Sequence, residues 1–153
     1  MDGTSNNAGL RTALRIGVIF GICAAAVELY YLVLGLANTS VSQPIYQTLW
    51  LLTAFLFALA GIWTVRLAWS SAKTIFDVAL FSGIAGAIVG VFYAAAVIVV
   101  QLIGSVFYMR YDSLSSVLGT VFSILFSSAL WLPAIVAVAV FGGIVYATLT
   151  NKI

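Results

Sequence analysis

The chain has 153 residues, of which 64% are hydrophobic and 7% are charged, too few charged residues to cover the surface of a soluble domain. Its net charge of +2 comes from scattered side chains that form no basic patch or run, which argues against a nucleic-acid partner. We therefore predict a single all-α integral membrane domain whose main partner is the lipid bilayer.

Four apolar stretches, separated by short polar turns, are long enough to cross a bilayer as helices. Residues 1–10 are polar, and we predict a mobile N-terminal tail there, followed by a four-helix transmembrane domain over residues 11–153. Turns this short predict two antiparallel hairpins. The predicted transmembrane helices are residues 11–37, 45–69, 78–108 and 117–148.

Glu28 is the only acidic residue inside the predicted spans, and a charged side chain at membrane depth is costly. It belongs to a stripe of mostly small residues whose spacings of three and four place them on one helical face. Such a face favours contact with other helices over contact with lipid. The stripe comprises Gly17, Gly21, Ala24, Glu28, Tyr31 and Gly35.

The second predicted helix carries a tryptophan near each of its ends. Trp50 and Trp69 are separated by a helical rise of about 28 Å. Because the apolar layer of a bilayer is ~30 Å thick, we expect the two rings to mark its two interfaces.

The third predicted helix has a glycine-rich face on which Gly86 and Gly90 form a G-x-x-x-G pair and Gln101 lies further along. Faces of this kind let helix backbones approach closely. Since such motifs often occur without a specific function, packing is our interpretation of the glycines in this helix and in the first. The predicted helix-packing residues are Gly17, Gly21, Gly83, Gly86 and Gly90.

Polar side chains from three predicted helices fall at one depth in the outer half of the membrane. Glu28, Gln101 and two serines of the fourth helix all lie roughly 9–15 Å from the outer ends of their helices. If these helices are neighbours, we expect the Glu28 carboxyl group to bond to Gln101 or a serine hydroxyl, or to face trapped water. The predicted intramembrane polar site comprises Glu28, Tyr31, Gln101, Ser123 and Ser127. A packing role for the serines is the alternative, because their hydroxyl groups can bond to carbonyls of their own helix.

Basic residues are distributed unequally between the two sides of the predicted bundle. With the N-terminus inside, Arg110 is the only basic residue on the outer side. The positive-inside rule therefore predicts that both termini are cytoplasmic, and we expect a multi-pass protein of the cell membrane. The residues predicted to be cytoplasmic are Arg11, Arg15, Arg66, Lys73 and Lys152.

The chain contains no histidine, which excludes a His-ligated haem, a His-containing zinc site and a Ser-His-Asp triad. We therefore expect no enzymatic activity, no cofactor and no metal site.

Two functional interpretations are open. The favoured one is a small polytopic membrane subunit or scaffold that acts by helix packing, within a homo-oligomer or with other membrane subunits. The alternative is a proton- or cation-coupled small transporter or channel in which Glu28 is the exchanging carboxylate, because acids inside the membrane are commonly functional. A lone acid without a second titratable group makes a poor proton relay, and this favours the subunit interpretation.

Overall fold

The computed structural model describes three stretches of the chain, residues 3–36, 43–108 and 114–150. Within them lie four helices, each long and apolar enough to cross a membrane, which supports a multi-pass membrane protein. The prediction of an all-helical protein is confirmed over these residues. The helices are α1 (Gly3–Leu36), α2 (Gln43–Leu67), α3 (Ile75–Tyr108) and α4 (Leu114–Leu149).

The first helix is longer than predicted. Residues 3–10, predicted as part of a mobile tail, are helical, and the rest of that tail lies outside the described residues. Gly9 lies directly against the Phe81 ring of α3, so contact between the two helices carries α1 beyond its apolar stretch. The other three helices match the predicted spans to within three residues at each end.

A capping box explains why α3 begins at Ile75, three residues earlier than predicted. The Asp77 carboxylate accepts hydrogen bonds from the backbone N–H groups of Lys73 and Thr74, at 3.0 and 2.9 Å. It also accepts one from the Thr74 hydroxyl group at 3.0 Å. The Asp77 N–H donates to the Thr74 hydroxyl oxygen in return, at 3.2 Å. These reciprocal bonds satisfy backbone donors that would otherwise lack partners at the start of the helix.

The helices α2 and α3 lie in the middle of the bundle, and α1 and α4 lie on opposite sides of them. Helix α1 packs mainly against α3 and less extensively against α2, whereas α4 packs against both α3 and α2. Among the described residues, α1 and α4 share no contact. The extensive α1–α3 and α2–α4 contacts thus join helices that do not follow one another in the chain.

Glycines permit close approach at two of these contacts. Gly17 and Gly21 of α1 lie against side chains of α3. Gly86 and Gly90 of α3 lie against α4 in the same way. A methyl group added at any of the four would lie within 3.0 Å of a side-chain atom of the neighbouring helix. Gly83 is less constrained, since its nearest neighbour would be at an ordinary 3.5 Å.

The helices α2 and α4 approach even more closely, because backbone meets backbone where they cross. Gly61 lies against the carbonyl oxygen of Ala139, and Gly142 lies against the carbonyl oxygen of Ala58. Neither glycine has room for a methyl group. In a bilayer, where lipid tails are as apolar as leucine, close packing of this kind is a main force that holds helices together.

Most of the buried apolar residues form two clusters, which we call the packed half of the bundle. One lies where α1 and α3 begin and where α2 and α4 end, and the other lies near the middle of the helices. The first comprises Ala13, Val65, Ala68, Ala72, Val78, Phe81, Ala85 and Ala147. The second comprises Ala24, Phe57, Ala60, Val89 and Ile135.

Candidate functional site

Beyond the second cluster, residues of all four helices surround a cavity of about 320 Å³, and we call this part of the molecule the cavity half. A volume of this size falls in the range typical of small-molecule pockets, about 300–1,000 Å³. The polar residues in its wall come from α1, α2 and α3 and are Glu28, Tyr31, Thr53, Tyr93 and Gln101.

Glu28 is half-buried in this cavity, where its carboxylate accepts a hydrogen bond from the Tyr93 hydroxyl group. The Tyr93 ring packs edge to face against Phe57, with ring centroids 5.4 Å apart and planes at 77°. Phe57 belongs to the second apolar cluster and is only 8% exposed. The packed half therefore positions the group that donates a hydrogen bond to Glu28.

Thr53 contributes a buried oxygen to the wall. Its hydroxyl group donates to the Leu49 carbonyl of its own helix at 2.9 Å. Because that bond uses its proton, the Thr53 oxygen offers only lone pairs to another group. Like the Glu28 carboxylate, it suits a positively charged or hydrogen-bond-donating partner.

Two indole rings form a further part of the wall. Trp50 of α2 and Trp131 of α4 meet edge to face, with ring centroids 5.0 Å apart and planes at 70°. Trp50 lies one helical turn before Thr53, and this spacing places both side chains on the same face of α2. Trp131 is thus the residue by which α4 contributes to the described lining, in which none of the α4 serines takes part.

The described lining of the cavity has an acidic group without a basic group to balance its charge. Among the described residues that line it, Glu28 has the only carboxyl group, and none is basic. An ionised Glu28 would therefore need a proton or a bound cation for charge balance at membrane depth. Within the described part of the chain, no three His, Cys, Asp or Glu side chains gather into a group that could hold a metal ion.

The predicted site residues separate into two groups. Glu28, Tyr31 and Gln101 line the cavity together. Ser123 and Ser127 are absent from its described lining: Ser123 is exposed, and the Ser127 hydroxyl donates to the Ile124 carbonyl of its own helix at 3.1 Å. The physical reason is the helix order, since the side-by-side position of α1 and α4 that this grouping required does not occur in the described residues.

The Glu28 carboxyl group also has a hydrogen-bond partner that the sequence did not predict. It is Tyr93, which lies three residues after Gly90 and four before Val97, a spacing that places all three on one face of α3. Its position on that face is the feature of the sequence from which Tyr93 could have been predicted as a site residue. Trp50, which we interpreted as an interface marker, lines the cavity, and Trp131 and Thr53 had no distinguishing pattern.

Comparisons with protein-family models, with curated proteins and with solved structures find no match to this chain. The functional interpretation of the cavity therefore rests on its geometry and charge.

Proposed function

We propose that the chain is a small membrane transport protein in which Glu28 exchanges a proton for a cation. The observation that carries this proposal is the cavity itself, with one carboxyl group, several oxygen acceptors and no basic residue in its described lining. A bare carboxylate at this depth is costly, so a proton or a cation is the natural occupant. Exchange of one for the other requires no second titratable group, which removes the objection that a lone acid makes a poor relay.

The proposal includes an orientation. Arg11 and Arg15 precede the apolar part of α1, while Arg66 and Lys73 lie close to the end of α2, so these four residues gather at the packed half of the bundle. By the positive-inside rule, this half faces the cytoplasm, both termini are inside, and the cavity half lies nearer the outer side of the cell membrane. The other two basic residues, at positions 110 and 152, lie outside the described residues.

Reconstituted vesicles test the exchange. The full chain is placed in vesicles that contain a pH-sensitive dye, and proton movement is measured after an organic or inorganic cation gradient is imposed. We expect Glu28→Gln, which keeps the shape of the side chain but cannot ionise, to reduce cation-driven proton flux at least about tenfold. Ser123→Ala is the matched control, since Ser123 is exposed and absent from the described cavity lining.

The thermal unfolding of each variant is recorded in the same detergent. Wild-type flux in Glu28→Gln would refute the proposal. A Glu28→Gln variant that loses flux because the bundle itself falls apart would show that the carboxyl group is structural.

A second function is a subunit or scaffold of a larger membrane assembly, and one observation favours it. At Gly104 and Gly119, in the cavity half, a methyl group would meet no atom within 4 Å beyond the adjoining residues and backbone of its own helix, among the residues that the structure describes. Unfilled glycine surfaces are typical of contacts with further helices in a membrane. Native mass spectrometry after extraction in a mild detergent tests this function. Co-purifying subunits in fixed ratio support it, and a chain that runs alone counts against it.

A further inference from the structure

The aromatic part of the cavity wall limits the kind of cation that fits. Hard metal cations prefer oxygen ligands arranged all around them. Trp50 and Trp131 offer instead an indole N–H donor and an aromatic face. Aromatic faces attract organic cations, and tryptophan does so most strongly. Together with Glu28, the two rings provide a negative charge and π surfaces in one space.

A smaller apolar compartment of about 80 Å³ adjoins the cavity. The two spaces share four wall residues, so they are direct neighbours. The shared residues are Trp50, Thr53, Tyr93 and Trp131. The rest of the small compartment is apolar and consists of Ala54, Phe57, Ala134, Ile135 and Val138. It is the size of a small alkyl group or part of one aromatic ring.

We infer that the site takes an organic ammonium ion that carries an apolar substituent. The charged nitrogen lies beside Glu28 and against the faces of Trp50 and Trp131, while the substituent enters the apolar compartment. This inference rests on the proposed function, because it names the class of cation that Glu28 would exchange. Both a free organic cation and the choline headgroup of a lipid have this chemistry.

Binding by the purified full chain tests the inference. Isothermal titration in an uncharged maltoside detergent compares benzyltrimethylammonium, tetramethylammonium and potassium ions as probes. We expect benzyltrimethylammonium to bind most tightly, tetramethylammonium more weakly because it lacks the apolar ring, and potassium not to compete at equal concentration. Equal competition by potassium would overturn the inference.

Tryptophan variants locate the binding. Trp131→Leu should weaken benzyltrimethylammonium binding about tenfold, whereas Trp131→Phe, which keeps an aromatic face, should retain most of it. Trp63→Leu is the matched control, because Trp63 is similarly exposed but its ring is covered by Arg66, whose guanidinium carbon lies 5.2 Å from the ring centroid. Equal affinities in the Trp131→Leu and Trp63→Leu variants, with both folded by circular dichroism, would overturn the inference.

Two further comparisons complete the test. One separates failure of this inference from failure of the proposed function, and the other separates a lipid headgroup from a free organic cation as the ligand. If vesicles show Glu28-dependent proton exchange with potassium but the chain does not bind benzyltrimethylammonium, the proposed function stands and this inference is wrong. If neither occurs, both are wrong.

Short-chain phosphatidylcholine that displaces the probe, when short-chain phosphatidylglycerol does not, identifies a lipid headgroup as the source. Displacement by neither identifies a free organic cation.

Discussion

The packed half and the cavity half of this bundle differ in how they use their small residues. In the packed half, Gly61 and Gly142 bring α2 and α4 into backbone contact, and the two apolar clusters fill much of the remaining space. In the cavity half, Gly104 and Gly119 have no side chain of the described residues packed against them, and polar residues line a cavity. Since lipid competes equally for apolar side chains, close contacts of this kind are what hold membrane helices together. The packed half therefore carries the stability of the fold, which lets the cavity half retain a costly acid.

Substitution of Gly61 by alanine should have the largest effect. The added methyl group would meet the Ala139 carbonyl oxygen, and neither backbone can move without separating α2 from α4. We expect the free energy of unfolding to fall by about 3 kcal/mol, at the upper end for overpacking. Unfolding by SDS in mixed micelles, followed by circular dichroism, measures the change. Unaltered unfolding would mean that the two helices do not cross this closely.

Phe57→Leu affects the junction between the two halves and should have an intermediate effect. Loss of the edge-to-face contact with Tyr93 should lower the free energy of unfolding by about 1.5 kcal/mol. Cation affinity should fall as well, because Tyr93 loses the support that directs its hydroxyl group to Glu28.

Tyr93→Phe is the informative partner of Phe57→Leu. It keeps the aromatic contact and removes only the hydroxyl group, so it should leave stability closer to wild type than Phe57→Leu while still weakening cation binding. Wild-type affinity in both variants, measured by titration calorimetry, would show that the packed half does not position the site.

Thr74→Ala should have a smaller effect, confined to the start of α3. Removing the capping hydroxyl leaves the Asp77 N–H without its partner. We expect the free energy of unfolding, measured with SDS, to fall by about 1 kcal/mol. Thr148→Ala is the control, because that hydroxyl donates only to the Ile144 carbonyl of its own helix, at 2.9 Å. Equal losses in the two variants would argue against a capping role for Thr74.

Gly104→Ala should have the smallest effect on the free energy of unfolding and should raise it, whereas the other substitutions lower it. Since a methyl group there would meet no described atom outside its own stretch of helix, alanine should stabilise the helix by at most about 1 kcal/mol through lower chain entropy in the unfolded state. The same micelle titration used for Gly61 provides the measurement. A loss as large as that of Gly61→Ala would erase the difference between the two halves and indicate that another chain packs against Gly104.

Much of the fold could be predicted from the sequence because length and apolarity alone determine which segments can cross a bilayer. The starts of α1 and α3 were predicted less well, because specific contacts determine them. These contacts are Gly9 against Phe81 and the capping box before α3. Glu28 could also be selected from the sequence, since an acid in an apolar helix is unusual wherever the helix lies.

The neighbours of Glu28, by contrast, depended on the tertiary structure. These helices are apolar on most sides, so their hydrophobic pattern carries little information about which face meets another helix and which meets lipid. Helical periodicity placed Ser123 and Gln101 at the depth of Glu28, but only the order of the helices in the bundle decided that Gln101 shares its cavity and Ser123 does not. The same order brought in Tyr93 and Trp131, because the geometry of helix packing, and not depth along a helix, determines which side chains meet.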